Sequence, residues 1–415
     1  MRRCVVVVGA GAREHALAWG LAKSASVVVT PGNAGIAAHG ITCTSTPAHE
    51  LDADLFVIGP EQSLVEGLAD ELRRQGKIVV GPGLDGARLE GSKAFMKEFL
   101  ASADVPTARF GVFRDEDEAT AFLATMDPPY VVKTDGLAAG KGVLVTSDFA
   151  EACDDVRDKL SGVAFGSAGT TVIIEEGLDG EECSLLVLCD GTTAVPLVPA
   201  QDFKRVGDAN QGVNTGGMGA YAPMLAMTNE QVELVMQSIV APTLSELAKR
   251  GIDFRGVLYA GVMLTSKGPK LLEYNVRFGD PETEVLVPLY GVDLFDMLLR
   301  TGEGRLGTTP LVTRDFAVTV VLAAHGYPQS PRAGDLISGL GIDGQLAQPL
   351  EGVTVFHAGT ALDQRGRFVT AGGRVLALTG VGSSIAEARE RAYAAVALVT
   401  FEGRVVRHDI ALAAV

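Results

Sequence analysis

The first ninety residues alternate short apolar runs with helical patterns. Helices are predicted over 14–22 and 64–75, and runs rich in β-branched residues predict strands over 4–8, 26–30, 55–58 and 78–80. Strands that alternate with helices in this way are typical of a parallel, doubly wound sheet. A glycine-rich segment at 81–83 marks the end of this unit.

A second pattern begins near Pro106 and is dominated by strands. They are predicted over 130–133, 143–145, 171–175, 182–189, 193–198, 254–264 and 270–274, with helices over 148–159 and 229–249. The last hundred residues predict strands over 316–323, 353–359 and 374–378 and a helix over 385–399. The patterns therefore predict a multidomain protein of the α/β and α+β classes, with a compact β-rich module at its C-terminal end.

Composition narrows the possible partners. The chain has 415 residues, enough for about two or three domains, and its formal net charge is −16. A strongly acidic surface repels nucleic acid and anionic membranes, so we expect neither as a partner. No apolar run approaches the roughly 18 residues of a membrane helix, and the N-terminus lacks the features of a signal peptide. The five scattered cysteines include no C-x-x-C pair, which fits the reducing cytoplasm.

Two glycine clusters suggest phosphate binding. In the first, 9–15, the sequence is close to the dinucleotide fingerprint, but Glu14 occupies the third glycine position and the second strand ends without an acidic residue. Its backbone amides, with Arg13 beside them, suit a single phosphate; a plain strand-to-helix turn is the alternative. The second cluster, 135–142, is not a Walker loop, yet Lys133 and Lys141 can offset the charge of a triphosphate. We expect it to close over the phosphates as a lid, and an ordinary hairpin is the alternative.

A carboxylate and an amide share one strand face at Glu273 and Asn275. Such hard oxygen ligands suit Mg²⁺, which takes few protein ligands together with phosphate oxygens. Arg277 follows two positions later and can bind a carboxylate or phosphate in bidentate fashion. The polar, glycine-rich stretch 201–221 is predicted to be one long functional loop, and a disordered surface insertion is the alternative. The six histidines show no metal-binding spacing, and no covalent nucleophile is indicated.

Seven motifs, in order, resemble those of a known family. They are G-x-G-x-R-E-H-A-L (9–17), P-G-N-A-G (31–35), G-P-E (59–61), L-E-G-S-K-A (89–94), D-G-L-A-A-G-K-G-V (135–143), N-T-G-G-M-G-A-Y (214–221) and R-F-G-D-P-E-T (277–283). The set is similar to the phosphoribosylamine–glycine ligases, also called glycinamide ribonucleotide synthetases, of the ATP-grasp superfamily. The motifs span nearly the whole chain, and the last two are highly specific.

The resemblance implies a three-part architecture. It comprises an N-terminal Rossmann-like domain over 1–100, an ATP-grasp domain over 101–320 and a C-terminal β-rich domain over 321–415. Within the ATP-grasp domain, a lid subdomain would cover 101–187 and a core subdomain 188–320. The resemblance also implies a cytoplasmic, single-activity enzyme, expected to be a monomer, whose partners are small molecules.

The implied reaction is ATP-dependent ligation in purine biosynthesis. ATP phosphorylates the carboxylate of glycine, and the amine of 5-phosphoribosylamine attacks the glycyl phosphate, with Mg²⁺ or Mn²⁺ as cofactor. Residues implied to be catalytic are Arg277, Lys141 and Asp202, and the implied metal ligands are Glu273 and Asn275. Those implied to bind ATP are Lys93, Lys133, Gly140, Lys141, Gly142, Glu175, Glu176, Leu178 and Glu182. Those implied to bind the other substrates are Gly11, Arg13, Glu14, Glu61, Asp202, Asn214, Thr215, Gly216, Arg277 and Asp280.

Three positions depart from the family pattern. Ala10 replaces a polar residue, Ala12 replaces a glycine, and Phe203 replaces a histidine. Each can alter substrate affinity, but none removes an implied ATP or metal ligand. The alternatives are another ATP-grasp ligase, a nucleotide-binding scaffold without chemistry, and an NAD-dependent dehydrogenase, which Glu14 and Thr30 disfavour.

Overall fold

A parallel sheet forms the first part of the protein. The structure is a computed structural model that describes residues 3–136, 142–162, 170–290, 294–308 and 313–415. The strands of this part are β1 (Cys4–Gly9), β2 (Ser26–Pro31), β3 (Thr42–Cys43), β4 (Leu55–Ile58) and β5 (Val79–Val80). The helices are α1 (Ala12–Leu21), α2 (Ala34–Ala38), α3 (Glu61–Val65) and α4 (Leu68–Arg74), and a 3₁₀ turn covers Ala48–Glu50. The strand order β3-β2-β1-β4-β5, all parallel, is that of a doubly wound sheet.

Local sequence explains the elements of this first sheet. The four consecutive valines of β1 are all buried, as expected of a central parallel strand covered on both faces. Helix α1 begins two residues earlier than predicted, because the Glu14 carboxylate accepts a hydrogen bond from the Gly11 N–H at 2.6 Å. The helix predicted over 64–75 is instead split between α3 and α4. Gly67 lies between them with φ of 86°, a left-handed conformation that interrupts the helix.

A small antiparallel sheet follows. Helices α5 (Leu84–Gly91) and α6 (Lys93–Ser102) lead into β6 (Phe110–Phe113), α7 (Glu116–Leu123), β7 (Tyr130–Thr134), β8 (Val143–Thr146), α8 (Phe149–Leu160) and β9 (Val172–Glu176). The strands pair in the order β6-β9-β7-β8. The side chains of Asp115 and Asp148 accept backbone N–H bonds and cap α7 and α8.

A second antiparallel sheet forms the centre of the chain. Its region contains β10 (Glu181–Asp190), β11 (Ala194–Pro196), β12 (Gln201–Asp202), β13 (Arg205–Gly207), β14 (Gln211–Asn214), β15 (Gly219–Ala222), α9 (Asn229–Val235), α10 (Ala241–Lys249), β16 (Arg255–Thr265) and β17 (Gly268–Asn275). The sheet order is β11-β10-β16-β17, and β13 pairs with β14 as a separate hairpin. A 3₁₀ turn at Asp208–Asn210 closes that hairpin.

The C-terminal part is built on a third antiparallel sheet. It follows α11 (Thr283–Leu289) and α12 (Leu294–Glu303) and contains β18 (Phe316–Ala323), β19 (Val353–His357), β20 (Thr360–Leu362), β21 (Phe368–Thr370), β22 (Arg374–Gly382), α13 (Ile385–Leu398) and a 3₁₀ turn at Leu412–Ala414. The order β12-β15-β18-β22-β19 shows that this sheet also includes two strands from the central region. The predicted fold class is therefore confirmed. Among the described residues, no helix is both long and apolar enough to cross a bilayer.

Two central segments differ from their sequence predictions. The stretch 201–221, predicted as one loop, contains the four strands β12 to β15, each only two to four residues long. Runs that short show no periodic signal. The helix predicted over 229–249 is continuous, but Met236–Val240 forms a π-helical segment between α9 and α10. Pro242 lies two residues after the end of this segment, and a widened turn accommodates a residue that lacks an N–H.

Helix α1 packs between the first sheet and the C-terminal sheet. Ala12 and Ala16 contact Val321, Phe356 and Ala377 in a small buried cluster. The alanine at position 12 therefore faces the C-terminal sheet. This contact fixes the N-terminal turn of α1 relative to the rest of the molecule.

Helix α11, which packs on α1 and β18, carries a buried carboxyl group. Glu284 is fully buried, and neither of its carboxyl oxygens has a hydrogen-bond partner among the described residues. Burial raises the pKa of Glu284 well above its ordinary value, and the Asp280 carboxylate adds to this effect while Arg374 opposes it. The neutral acid is therefore favoured in the folded protein.

Replacing Glu284 with glutamine should stabilise the protein increasingly as the pH rises. Because the pKa is raised on folding, wild type loses stability as the pH rises from the unfolded pKa of about 4.3 through the folded pKa. Glutamine has no charge to bury. The free energy of unfolding of Glu284→Gln should therefore rise relative to wild type by about 1 kcal/mol or more between about pH 5 and about pH 8. Urea unfolding of both proteins at the two pH values measures this. A difference in free energy of unfolding between the two proteins that stays constant or decreases as the pH rises would contradict this prediction.

Candidate active site

Arg277 is the centre of a buried charge cluster beyond the end of β17. Its Nη2 lies 2.9 Å from Glu90 Oε1 and donates to Asn275 Oδ1 at 3.2 Å, and its Nε lies 3.3 Å from Glu61 Oε2. Glu90 in turn accepts a hydrogen bond from the Val276 N–H at 2.8 Å. The guanidinium therefore joins the end of α5, the start of α3 and the end of β17.

A second arginine reaches the same point from the first sheet. Arg13 lies 2.6 Å from Glu14 and 3.9 Å from Glu61, and it donates to the Phe278 carbonyl oxygen at 3.2 Å. Arg277 donates to that same oxygen at 3.1 Å. Although burial opposes the charged form of Glu61, Arg277 and Arg13 hold its pKa below the ordinary value. Arg13, Glu61 and Arg277, three residues implied by the resemblance, therefore lie together as one ionised cluster.

Glu14 is buried beneath Arg13. One of its carboxylate oxygens binds the Gly11 N–H, and the other binds Arg13 Nε. Its side chain lies so close to Gly9 and Gly59 that a β-carbon on either residue would come within 3 Å of it. Glu14 thus caps α1 and orients Arg13 at the position where a dinucleotide fold has its third glycine.

Asp280 links the R-F-G-D-P-E-T segment to the C-terminal sheet. Its carboxylate pairs with Arg374 at 2.9 Å, and Arg374 also donates to the carbonyl oxygens of Asp280 and Gly216. The Thr215 side chain donates to the Lys204 carbonyl at 2.8 Å, and Asn214 ends β14 nearby in the chain. The two glycine-rich motifs implied to bind substrate are therefore held against each other by Arg374.

The residues implied to bind ATP lie around β7 and β9. Lys133 contacts Glu175 at 2.8 Å, and Lys93 donates to the Gly136 carbonyl at 2.9 Å. Glu176 pairs with Lys270 at 2.7 Å, and Leu178 lies between β9 and β10. The Gly142 carbonyl accepts from the Thr134 N–H at 2.8 Å. Gly140 and Lys141, together with most of the predicted lid, lie outside the described residues.

Lys204 connects Glu182, a residue implied to bind ATP, with Glu273, an implied metal ligand. It forms an ion pair with Glu182, lies 3.5 Å from Glu273, and follows two residues after Asp202, which ends β12. Although burial opposes the charged form, Glu182, Asp202 and Glu273 raise the pKa of Lys204 well above its ordinary value. Lys204, Lys133, Lys93 and Arg277 together lower the pKa of Glu273 to about 2, with Lys204 the largest cause.

Glu273 and Asn275 fit a divalent cation. They are two residues apart on β17, with the ionised carboxylate and the amide oxygen that Mg²⁺ or Mn²⁺ accepts. The described residues contain no group of three or more His, Cys, Asp and Glu side chains suited to holding a metal alone. Two protein oxygens would therefore need phosphate oxygens to complete the coordination, as is usual for Mg²⁺ beside nucleotides.

Sequence reasoning missed four residues of this cluster: Glu90, Lys97, Lys204 and Arg374. Glu90 and Lys204 lie inside motifs noted from the sequence, but nothing local indicates their ion pairs with residues far along the chain. Arg374 reaches the site from β22, 94 residues beyond Asp280. Phe203, which replaces the histidine of the family pattern, packs against Tyr221 and beneath Arg407.

Comparison with known proteins agrees with this geometry. Three parts of the chain match the Phosphoribosylglycinamide synthetase family: its N domain at residues 3–90, its ATP-grasp (A) domain at 91–283 and its C domain at 317–413. The fold and the site thus define an ATP-grasp enzyme. The chain belongs to the phosphoribosylglycinamide synthetase, or phosphoribosylamine–glycine ligase, family.

Individual relatives support the same assignment. A phosphoribosylamine–glycine ligase from Brucella melitensis is 46% identical, across 99% of this chain and 98% of that protein. A crystal structure of the enzyme of that name from Thermotoga maritima superimposes with a TM-score of 0.85 at 37% identity, covering 98% of this chain and 100% of that one. The biotin carboxylase domain of a Hydrogenobacter thermophilus 2-oxoglutarate carboxylase, at 18% identity and TM-score 0.73, covers 98% of this chain and 92% of that one and shares the fold.

Removing the Lys204 charge should destabilise the protein. Lys204→Met removes the cation that lies between Glu182 and Glu273, and the two carboxylates then repel each other. We expect Tm to fall by roughly 2–4 °C. Lys249→Met is the control, because Lys249 is an exposed lysine paired on its own helix and should shift Tm far less. Equal shifts in differential scanning fluorimetry would contradict a structural role for the Lys204 cluster.

Proposed function

We propose that this protein ligates glycine to 5-phosphoribosylamine at the expense of ATP. The products are glycinamide ribonucleotide, ADP and phosphate, and the step belongs to de novo purine biosynthesis. The observation that carries the proposal is the 46% identity to a phosphoribosylamine–glycine ligase across 99% of the chain. The ionised cluster of Arg13, Glu61 and Arg277 beside Glu273 and Asn275 supports it.

The first step transfers the γ-phosphoryl group of ATP to a carboxylate oxygen of glycine, and ADP leaves. Lys93 and Lys133 offset the charge of the nucleotide phosphates, and Arg277 orients the glycine carboxylate. Glu273 and Asn275 hold Mg²⁺ or Mn²⁺, which supplies further neutralisation of phosphate charge when bound. Positioning and charge compensation are sufficient for this chemistry, because no covalent enzyme intermediate is formed.

In the second step the amine of phosphoribosylamine attacks the carbonyl carbon of glycyl phosphate. Phosphate leaves, and the attacking nitrogen loses a proton. Burial raises the pKa of Asp202 to about 8, although Lys204 opposes the shift, so its carboxylate is a stronger base than an ordinary aspartate. We assign Asp202 as the proton acceptor. The residues that line the phosphoribosylamine side are Gly11, Arg13, Glu14, Glu61, Asn214, Thr215, Gly216 and Asp280.

The proposal extends to the cellular setting and the remaining ATP contacts. The segment Glu175 to Leu178 lines the adenine, Glu182 holds the ribose, and Gly140, Lys141 and Gly142 contact the phosphates. The enzyme acts as a cytoplasmic monomer on small molecules. Cys43, Cys153, Cys183 and Cys189 are free thiols, which agrees with a reducing compartment. The domain bounds at residues 100 and 320 remain predictions.

ADP, and not AMP, should be the nucleotide product. Glycine activation as an acyl phosphate cleaves ATP between its β- and γ-phosphates, so ADP and phosphate should appear in equal amounts. ADP formation is measured with ATP, Mg²⁺, glycine and freshly made phosphoribosylamine, and each component is then omitted in turn. AMP and pyrophosphate as main products would contradict the acyl phosphate. ADP formation that needs a different amino acid or amine would indicate another ATP-grasp ligase, and a complete lack of ADP would indicate a nucleotide-binding scaffold.

Glu273→Gln should raise the Mg²⁺ requirement. The substitution keeps the shape of the side chain but removes the only charged protein ligand of the implied cation. We expect the Mg²⁺ concentration for half-maximal activity to rise by about tenfold or more, while the far-ultraviolet circular dichroism stays unchanged. Glu233→Gln, on the exposed face of α9, is the matched control. Wild-type activity of Glu273→Gln at low Mg²⁺ would remove this residue from the metal site.

A further inference from the structure

A buried lysine, Lys97, lies next to the residues that are implied to bind ATP. Lys97 lies on α6 and its side chain is 0% exposed. Its ammonium group pairs with Glu175 Oε2 at 2.9 Å and donates to the Thr107 hydroxyl at 2.7 Å. The Thr107 hydroxyl donates in turn to the Leu271 carbonyl at 2.7 Å. Lys97 is therefore held by Glu175 on β9 and by Thr107, which is itself anchored to β17.

The same carboxylate holds a second lysine. Glu175 Oε1 lies 2.8 Å from the Lys133 ammonium group, so one buried carboxylate is shared by two cations. The side chain of Lys133 is 11% exposed, whereas that of Lys97 has no exposed surface. Lys133, on β7 beside the predicted phosphate loop, is thus the cation that a ligand can reach.

We propose that Lys97 is a positioning residue that lets Lys133 exchange between Glu175 and the nucleotide phosphates. In the nucleotide-free protein Lys133 is held by Glu175. When nucleotide binds, Lys133 moves to the phosphates, and Lys97 remains on Glu175 as its permanent counter-charge. The inference rests on the proposed function only in requiring that this site binds ATP.

The electrostatics of the triad favour such an exchange. A buried carboxylate left without a partner is strongly disfavoured, so Lys133 could not leave Glu175 at low cost if it were the only cation there. Although burial opposes ionisation, Lys133 and Lys97 together hold the pKa of Glu175 below its ordinary value. Lys97 also repels Lys133, because both ammonium groups lie against one carboxylate. Lys97 therefore weakens the ion pair between Glu175 and Lys133. It also keeps Glu175 paired with a cation after Lys133 has moved to the phosphates.

The first test replaces Lys97 with methionine, which keeps most of the side-chain volume. Glu175 then has Lys133 as its only cation, and nucleotide must compete for it. ADP, titrated calorimetrically without glycine or phosphoribosylamine, should bind at least about tenfold more weakly. In turnover, KM for ATP should rise by a similar factor, while kcat and KM for glycine stay within about twofold. Lys159→Met is the matched control, since Lys159 is a buried lysine paired with Asp155 on its own helix.

The second test removes the carboxylate. The double variant Lys97→Met with Glu175→Gln should recover ADP affinity relative to Lys97→Met, because nothing then retains Lys133. Glu175→Gln alone keeps the backbone of the adenine segment and removes only the side-chain charge that faces Lys97 and Lys133. It should bind ADP at least as tightly as wild type, and this variant decides the question if Lys97→Met does not fold. Unchanged ADP affinity in folded Lys97→Met, or weaker ADP binding in Glu175→Gln, would overturn the exchange. Wild type that binds ADP but lacks ligase activity would contradict the proposed function and leave this inference standing.

Discussion

Arg13 and Arg277 both donate hydrogen bonds to the Phe278 carbonyl oxygen. The arrangement of the site depends on this interaction. Arg13 belongs to the parallel sheet and Arg277 to the end of β17, so one oxygen atom joins two parts of the chain that are 264 residues apart. Glu61 lies between the same two guanidinium groups and compensates their charge. This junction holds the first glycine turn beside Glu273 and Asn275, the implied metal ligands, so that one reactant can contact both.

In this strongly acidic chain, carboxylates hold lysine and arginine side chains in fixed positions where they can meet an anionic ligand. The net charge of −16 opposes the approach of phosphates from a distance, yet Lys97, Lys204 and Arg277 are each anchored by buried or half-buried carboxylates. Pairing keeps these cations ordered before a ligand arrives, which lowers the entropy lost on binding. The acidic residues that dominate the composition therefore also hold in place cations that are proposed to lie beside phosphate.

The sequence predicted the strands with clear periodicity and the residues of chemically distinctive motifs. Strands such as β4 and β18 agree at both ends with the predicted runs, because a continuous, largely buried and mostly apolar run gives an unambiguous pattern. Helix α11 was missed, since a helix buried on nearly all sides, with Pro288 inside it, has no polar face to mark its period. Lys97 and Arg374 were missed for another reason. Their importance comes from partners distant in the chain, and no local spacing encodes such contacts.

The close packing of the Glu14 side chain against Gly9 and Gly59 makes these three positions of the sequence interdependent. Any side chain at Gly9 or Gly59 would occupy the space of the Glu14 carboxylate, which cannot move aside while it binds the Gly11 N–H and Arg13. A mutation at Gly59 would therefore act on Arg13, a residue it does not touch, through the displaced carboxylate. A substitution of Gly9 or Gly59 is therefore compatible with the structure only if Glu14 changes as well. Each of these positions constrains the others, even though neither glycine takes part in chemistry.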